Sequence, residues 1–146
     1  MSESIAELVL QQGSWGELGD IAGEIRRVVF IEEQAVPIEE EWDGRDGDCL
    51  HFLAWHGTTP LGTARLLPDG HVGRVAVLAE ARGLGIGVAL MQATITAART
   101  QGHAHVELAA QLQALPFYER LGFIAFGDEF LDAGIPHRNM RLELGN

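Results

Sequence analysis

A strand that runs through a glycine cluster straight into a helix constrains this chain more than any other stretch. Val72 to Leu78 is a short apolar run with the length of a buried strand, and Ile86 to Arg99 is an amphipathic run of helical period. Between them lies Arg82-Gly83-Leu84-Gly85-Ile86-Gly87. The first N–H groups of a helix have no internal partner, and the aligned peptide dipoles make that end partly positive. Glycine lets a ligand approach such a backbone with no Cβ in the way. The stretch therefore predicts a seat for a pyrophosphate-bearing ligand on residues 82–87.

Two common phosphate templates fail here. The dinucleotide pattern G-x-G-x-x-G meets Val88 at its sixth position when started at Gly83, and Leu90 when started at Gly85. The P-loop needs Gly-Lys-Ser/Thr, and the chain has no lysine: its ten basic residues are all arginine. Against them stand 21 acidic residues, for a net charge of −11. That balance argues against nucleic acid and against an anionic membrane surface as partners. No apolar run approaches the roughly 18 residues of a membrane span. The N-terminal Met1-Ser-Glu-Ser4 is acidic where a signal peptide would be basic. The lone Cys49 excludes an intramolecular disulfide and points to a reducing, cytoplasmic setting. At 146 residues the chain is expected to form one domain spanning 1–146.

Ile5–Leu10 is a strand candidate. Ser14 with Glu17 has capping-box spacing and starts a helix in which Leu18, Ile21, Ile25, Val28 and Val29 recur at helical period. That helix is expected to reach Phe30 or Gln34, with Pro37 stopping it. Glu39, Glu40, Glu41, Asp43, Asp46 and Asp48 follow, opposed only by Arg45. The run reads either as a solvated loop or as the wall of a pocket for a cationic substrate. Leu50–His56 and Leu61–Leu67 pair as a hairpin around Gly57-Thr-Thr-Pro60, and Val72–Leu78 extends the meander. A helix over Gly83–Gln101 is closed by Gly102. His105–Ala109 is then expected as a strand parallel to Val72–Leu78. Gln111–Leu121 forms a helix with Pro116 in its first turn. Two last strands, Phe123–Phe130 and His137–Leu144, are joined by Leu131–Pro136. The whole is an α/β (α+β) arrangement.

Arg82-x-x-Gly85-x-Gly87 directly after a strand resembles the pyrophosphate loop of the GNAT N-acetyltransferase superfamily. Gln111-Leu-Gln-Ala114-Leu-Pro-Phe117-Tyr118-Glu-Arg-Leu-Gly122-Phe123 resembles that family's Asn-x-x-Ala-x-x-Phe-Tyr-x-x-x-Gly-Phe block, with Gln111 where Asn is usual. Phe30-Ile-Glu-Glu33-Gln34-Ala-Val36-Pro37, Glu41-Trp-Asp43, Gly62-Thr-Ala-Arg65-Leu66 and Ile135-Pro-His137 are similar to the ElaA-like branch. The resemblance implies a GNAT fold: a mixed central sheet of about six to seven strands, flanked by helices on both faces and splayed between the strands at 72–78 and 105–109.

It further implies direct transfer of the acetyl group of acetyl-CoA to a small-molecule or peptide amine, without an acyl-enzyme. In that reading the backbone of Val75, Ala76 and Val77 carries the pantetheine arm, with an N–H near Val77 donating to the thioester oxygen. Arg82 and the amides of Gly83, Leu84, Gly85, Ile86 and Gly87 take the pyrophosphate, while Gln111, Ala114 and Phe117 complete the cofactor side. Tyr118, the chain's only tyrosine, is the candidate acid toward the departing sulfur. Glu33 is the candidate base, with Arg65 and His137 as further candidates on the acceptor side. Cys49 reads as a small buried hydrophobe rather than a nucleophile.

No metal is called for. His103 and His105 lack a third ligand, and Asp43–Asp48 has Arg45 and Gly47 at calcium-ligand positions. The acidity of the chain would draw a cationic amine. A CoA-binding sensor without turnover and a transferase using another acyl-CoA are the alternatives, and a homodimer through the last two strands stays open.

Overall fold

In the computed structural model, which describes residues 7–145, Ser14 caps the first helix through the expected box. Its side chain accepts from the Glu17 N–H, and the Glu17 carboxylate accepts from the Ser14 N–H at 2.8 Å. Before it lies β1 (Leu8–Gly13); Ile5 and Ala6 of the predicted strand fall outside the described residues. Helix α1 (Trp15–Arg26) runs on as a wider π-helical segment, Arg27–Glu33, that closes at Gln34, so the helix extends to the predicted limit. A single turn, α2 (Ile38–Glu41), follows Pro37.

The meander is β2 (Leu50–His56), β3 (Thr59–Leu66) and β4 (Val72–Val77), and with β1 it forms an antiparallel sheet in the order β1-β2-β3-β4. Next come α3 (Ile86–Thr100), β5 (His105–Gln111), α4 (Leu115–Arg120), β6 (Ile124–Asp132) and β7 (Ile135–Glu143). The last three strands form a second antiparallel sheet in the order β5-β7-β6.

Alternation along β2 assigns the two faces. Leu53 turns toward α1 and packs with Leu18, Ala22, Ile25 and Ala76. Phe52 and Ala54 turn the other way and join Leu90, Met91 and Ile95 of α3, with Val106 and Met140 of the second sheet. Helices thus cover both faces. No helix among the described residues is long and apolar enough to cross a membrane.

Three expectations are corrected. The predicted parallel pairing of β4 with β5 shrinks to one bridge, His71 with Glu107, where the Glu107 N–H reaches the Gly70 carbonyl at 3.3 Å. Beyond that bridge the strands part, so the splay lies where expected but separates two antiparallel sheets. The loop predicted at 131–136 is a two-residue turn, Ala133-Gly134, with φ of 53° and 76°. Positive φ at both positions suits a tight hairpin. Finally, α3 begins at Ile86 rather than Gly83, because Gly83 and Gly85 have φ of 84° and 80°, outside the helical region.

A cleft between the splayed strands

The opening between β4 and β5 is a cleft of about 510 Å³. Its floor and sides include Val75 of β4, Leu108, Ala109, Ala110 and Gln111 of β5, Ala114, and Tyr118 of α4. Leu78 N–H donates to Leu61 of β3 at 2.9 Å. In an antiparallel ladder the bonding side alternates. The peptide groups of Ala76 therefore face β3, and those of Val75 and Val77 face the open edge. The Val77 carbonyl accepts from Arg82 Nε at 2.9 Å there. Of the three predicted backbone contacts, two lie on the open side, and the Ala76 methyl is buried among α1 side chains.

Past β4 the chain makes a turn at Ala79–Ala81 and enters the glycine loop. None of the six amides of residues 83–88 donates to a backbone or side-chain acceptor among the described residues, and the first helical bond is Ala89 N–H to Gly85. Consecutive unpaired N–H groups at a helix start form an anion seat. Gly85 supplies the left-handed turn. Gly87 lets Phe117 approach, since a Cβ there would lie 3.2 Å from the Phe117 ring. The two sequence blocks, far apart in the chain, meet at that contact.

Tyr118 is packed edge-on against Phe117 and Phe123, with ring centroids 4.9 and 5.8 Å away. Burial pushes its hydroxyl up to about 12, so it stays protonated at neutral pH. Tyr118 lines the cleft, and its hydroxyl has no hydrogen-bond partner among the described residues. Gln111 donates to the Gln34 side chain at 2.9 Å, tying β5 to the end of the π-helical segment. His137 lies at the cleft, its Nδ1 2.6 Å from the Ile135 carbonyl and its ring stacked on Phe130.

The acceptor-side candidates have firm partners of their own. Glu33 does not line the cleft; both its oxygens accept from Arg82, at 2.7 Å each. That pairing holds its carboxyl below the usual range. Arg65 does line the cleft, but it is committed to Asp43 at 2.9 Å and Asp46 at 3.1 Å.

These pairs belong to a closed ring of six alternating charges. Arg26 meets Glu41 at 2.6 Å, Glu41 meets Arg74 at 3.1 Å, and Arg74 meets Asp43 at 3.4 Å. Asp43 then meets Arg65, Arg65 meets Asp46, and Asp46 returns to Arg26 at 2.7 Å. Arg26 is 1 % exposed and packed against the rings of Trp15 and Trp42. Burial alone would raise the Asp43 and Asp46 carboxyls, yet their arginine partners outweigh it and hold both below the usual range.

Sequence reasoning missed Arg26 and Arg74, although each left a signal. Arg26 falls on the apolar stripe of α1, four residues after Ala22. Arg74 interrupts an otherwise apolar strand, and in the structure it adopts a φ of 52° at an irregularity in the β3–β4 register.

The buried Cys49 thiol donates to the Arg45 carbonyl, and burial raises its pKa. His51 is buried against Asp46 and Trp15, and burial lowers its pKa. Among the described residues no cluster of three or more His, Cys, Asp or Glu side chains could hold a metal ion.

Comparison with known proteins gives a consistent picture. A profile described as an acetyltransferase (GNAT) domain matches residues 23–144. A Bacillus subtilis protein named as an acetyltransferase is 43% identical over 122 residues, covering 80% of this chain and 83% of its own. The crystal structure of an acyl-CoA N-acyltransferase from Pseudomonas aeruginosa superposes with a TM-score of 0.81 at 33% identity, over 92% of this chain and 98% of that one. Escherichia coli ElaA superposes with a TM-score of 0.83 at 30% identity, over 92% and 99%.

Proposed function

This chain belongs to the acetyltransferase (GNAT) family, whose members are acyl-CoA-dependent transferases, and on that premise we propose that it moves the acetyl group of acetyl-CoA directly to a small cationic amine. Residues 1–146 act as one such domain in this reading, in a cytoplasmic setting. The observation that carries the proposal is the contact that joins two features: the glycine loop, whose amides on residues 83–88 are uncommitted, meets Phe117 at Gly87, and the adjoining Tyr118, protonated, lines the cleft together with Val75 of β4.

The diphosphate of the donor is seated on those amides, and its pantetheine arm runs along Val75 and Val77. The neutral amine attacks the thioester carbonyl carbon, forming the C–N bond. The Val77 N–H faces the developing oxyanion. As the C–S bond breaks, the thiolate takes the proton of the Tyr118 hydroxyl; the proton lost by the amine passes to water, and the high-pKa tyrosinate regains its proton from water, leaving the amide, the CoA thiol and an unchanged tyrosine. Gln111, Ala114 and Phe117 shape the cofactor side, and His137 stands on the acceptor side. The Cys49 thiol, buried and raised, fits the absence of an acyl-enzyme.

The charge inventory of the cleft supports the acceptor class. Of its lining carboxylates, Glu40, Asp69 and Asp132 form no ion pair with an arginine among the described residues; Arg45, the lining arginine without an ion pair, acts on Asp69 from a distance, and His71 lies 3.0 Å from Asp69. The surplus favours a cation. The test is CoA release, followed by thiol detection, over a panel of cationic and neutral amines at low salt. Cationic amines are expected to give the higher kcat/KM, and equal rates would remove the acceptor assignment. Replacing Tyr118 by Phe is expected to lower kcat by about 100-fold with CoA affinity retained. An unchanged kcat would end the acid role, and no turnover with any amine would favour a CoA-binding module.

A further inference from the structure

Arg82 and Glu33 are separated by 49 positions in sequence but form a two-point contact. Arg82 Nη1 donates to Glu33 Oε2 and Nη2 to Glu33 Oε1, both at 2.7 Å, while Nε donates to the Val77 carbonyl at 2.9 Å. The guanidinium therefore spans from the C-terminal end of the π-helical segment to the open edge of β4. It lies at the start of the loop whose amides on residues 83–88 have no acceptor. Both side chains are near the surface, 43% and 40% exposed. A carboxylate offers a guanidinium two oxygens in a plane, as a phosphate does. Glu33 thus occupies both Nη donors of Arg82, the pair that a planar or tetrahedral oxyanion would take.

We propose that Glu33 is an internal stand-in for the diphosphate of the acyl donor, holding Arg82 extended until the diphosphate displaces it. This rests on the reading above, in which the loop seats the diphosphate of CoA. The consequence is a competition. The carboxylate must be released for Arg82 to turn to the phosphates, and its charge stands against the arriving polyanion. Glu33 then sets donor affinity as a positioning residue acting through Arg82, a different role from proton transfer.

The experiment is calorimetric binding of CoA and of pantetheine, which lacks the diphosphate, to the full chain and to E33Q, R82A and the double variant, with circular dichroism to verify folding. Glu33→Gln keeps the shape and removes the charge. E33Q is expected to bind CoA about fivefold more tightly than the parent at low salt, the scale of one exposed ion pair. Pantetheine affinity is expected to stay the same. Arg82→Ala is expected to weaken CoA about fivefold or more, and adding E33Q to it should change affinity by less than twofold. Equal or weaker CoA binding by E33Q overturns the proposal, as does an equal gain for pantetheine. A parent chain that binds no CoA would instead overturn the functional reading, so the two failures are distinguishable.

Discussion

At the loop end of β4 the donors without a partner are main chain: the amides of residues 83–88 and the outward-facing edge of Val75 and Val77. Toward the other end of β4 the groups are side chains, six charges drawn from α1, α2, the loop after it, β3 and β4, and each charge is already matched by two of opposite sign. The first end is uncommitted and generic, so it suits a ligand part common to every reaction of a family. The second end is paired within itself, leaving only the buried Nε atoms of Arg65 and Arg74 without a hydrogen bond among the described residues. Burying these charges is tolerable because each keeps partners close by. In the proposed function, the acceptor is chosen by what the ring does not neutralise.

If that contrast holds, the two ends should fail separately. The largest effect is expected from Arg26→Ala, which leaves Glu41 and Asp46 without their shortest partner in a buried setting. Breaking a buried pair of this kind costs about 3–5 kcal/mol, to be read from urea unfolding. The CoA dissociation constant of the folded fraction should stay within twofold. A loss below 1 kcal/mol would show the ring to be a solvated cluster, and the comparison would collapse.

Acid is the second probe. Asp43 and Asp46 are held below the usual range in the folded chain, so their folded pKa values lie beneath the unfolded value of about 3.9. The stability they contribute is therefore complete above about pH 4 and is lost as pH falls through the folded values. The urea midpoint should decline gently below about pH 6.5, where the unfolded chain protonates His51 while burial keeps the folded His51 neutral, and fall steeply below about pH 4.5. Asp43→Asn should shallow only the steep part, and an unchanged steep part would place the acid sensitivity elsewhere.

The smallest change is Gly85→Ala. The φ of 80° at that position is unfavourable for a residue with a Cβ by about 1–2 kcal/mol. About 1 kcal/mol of stability should be lost, and CoA affinity should fall about fivefold, while the KM for the amine stays unchanged. A shift in the amine KM would show that the two ends communicate.

Much of the architecture was legible because the signals are local. Ser14 and Glu17 lie three residues apart, and Arg82 to Gly87 is one uninterrupted run. The Tyr118 block carries its own spacing. In each case neighbours in sequence are neighbours in space. The β4–β5 relation was only half legible: the helix between them implied parallel strands, but sequence carries no term for how far two strands diverge after one bridge. Glu33 shows the remaining limit. Its position at the end of the first helix was readable, whereas its capture by Arg82 depended on how that helix end packs beside β4.

The sequence by itself thus determined the strand–loop–helix with its run of unpaired amides, the aromatic block that meets it, and the excess of acid over base. Only the tertiary structure decided which acids are spent. The ring of Arg26, Glu41, Arg74, Asp43, Arg65 and Asp46 pairs residues up to 33 positions apart. Charge pairing over such separations has no period and no local spacing. It is set by where buried side chains can reach one another once the two helices and the meander have packed.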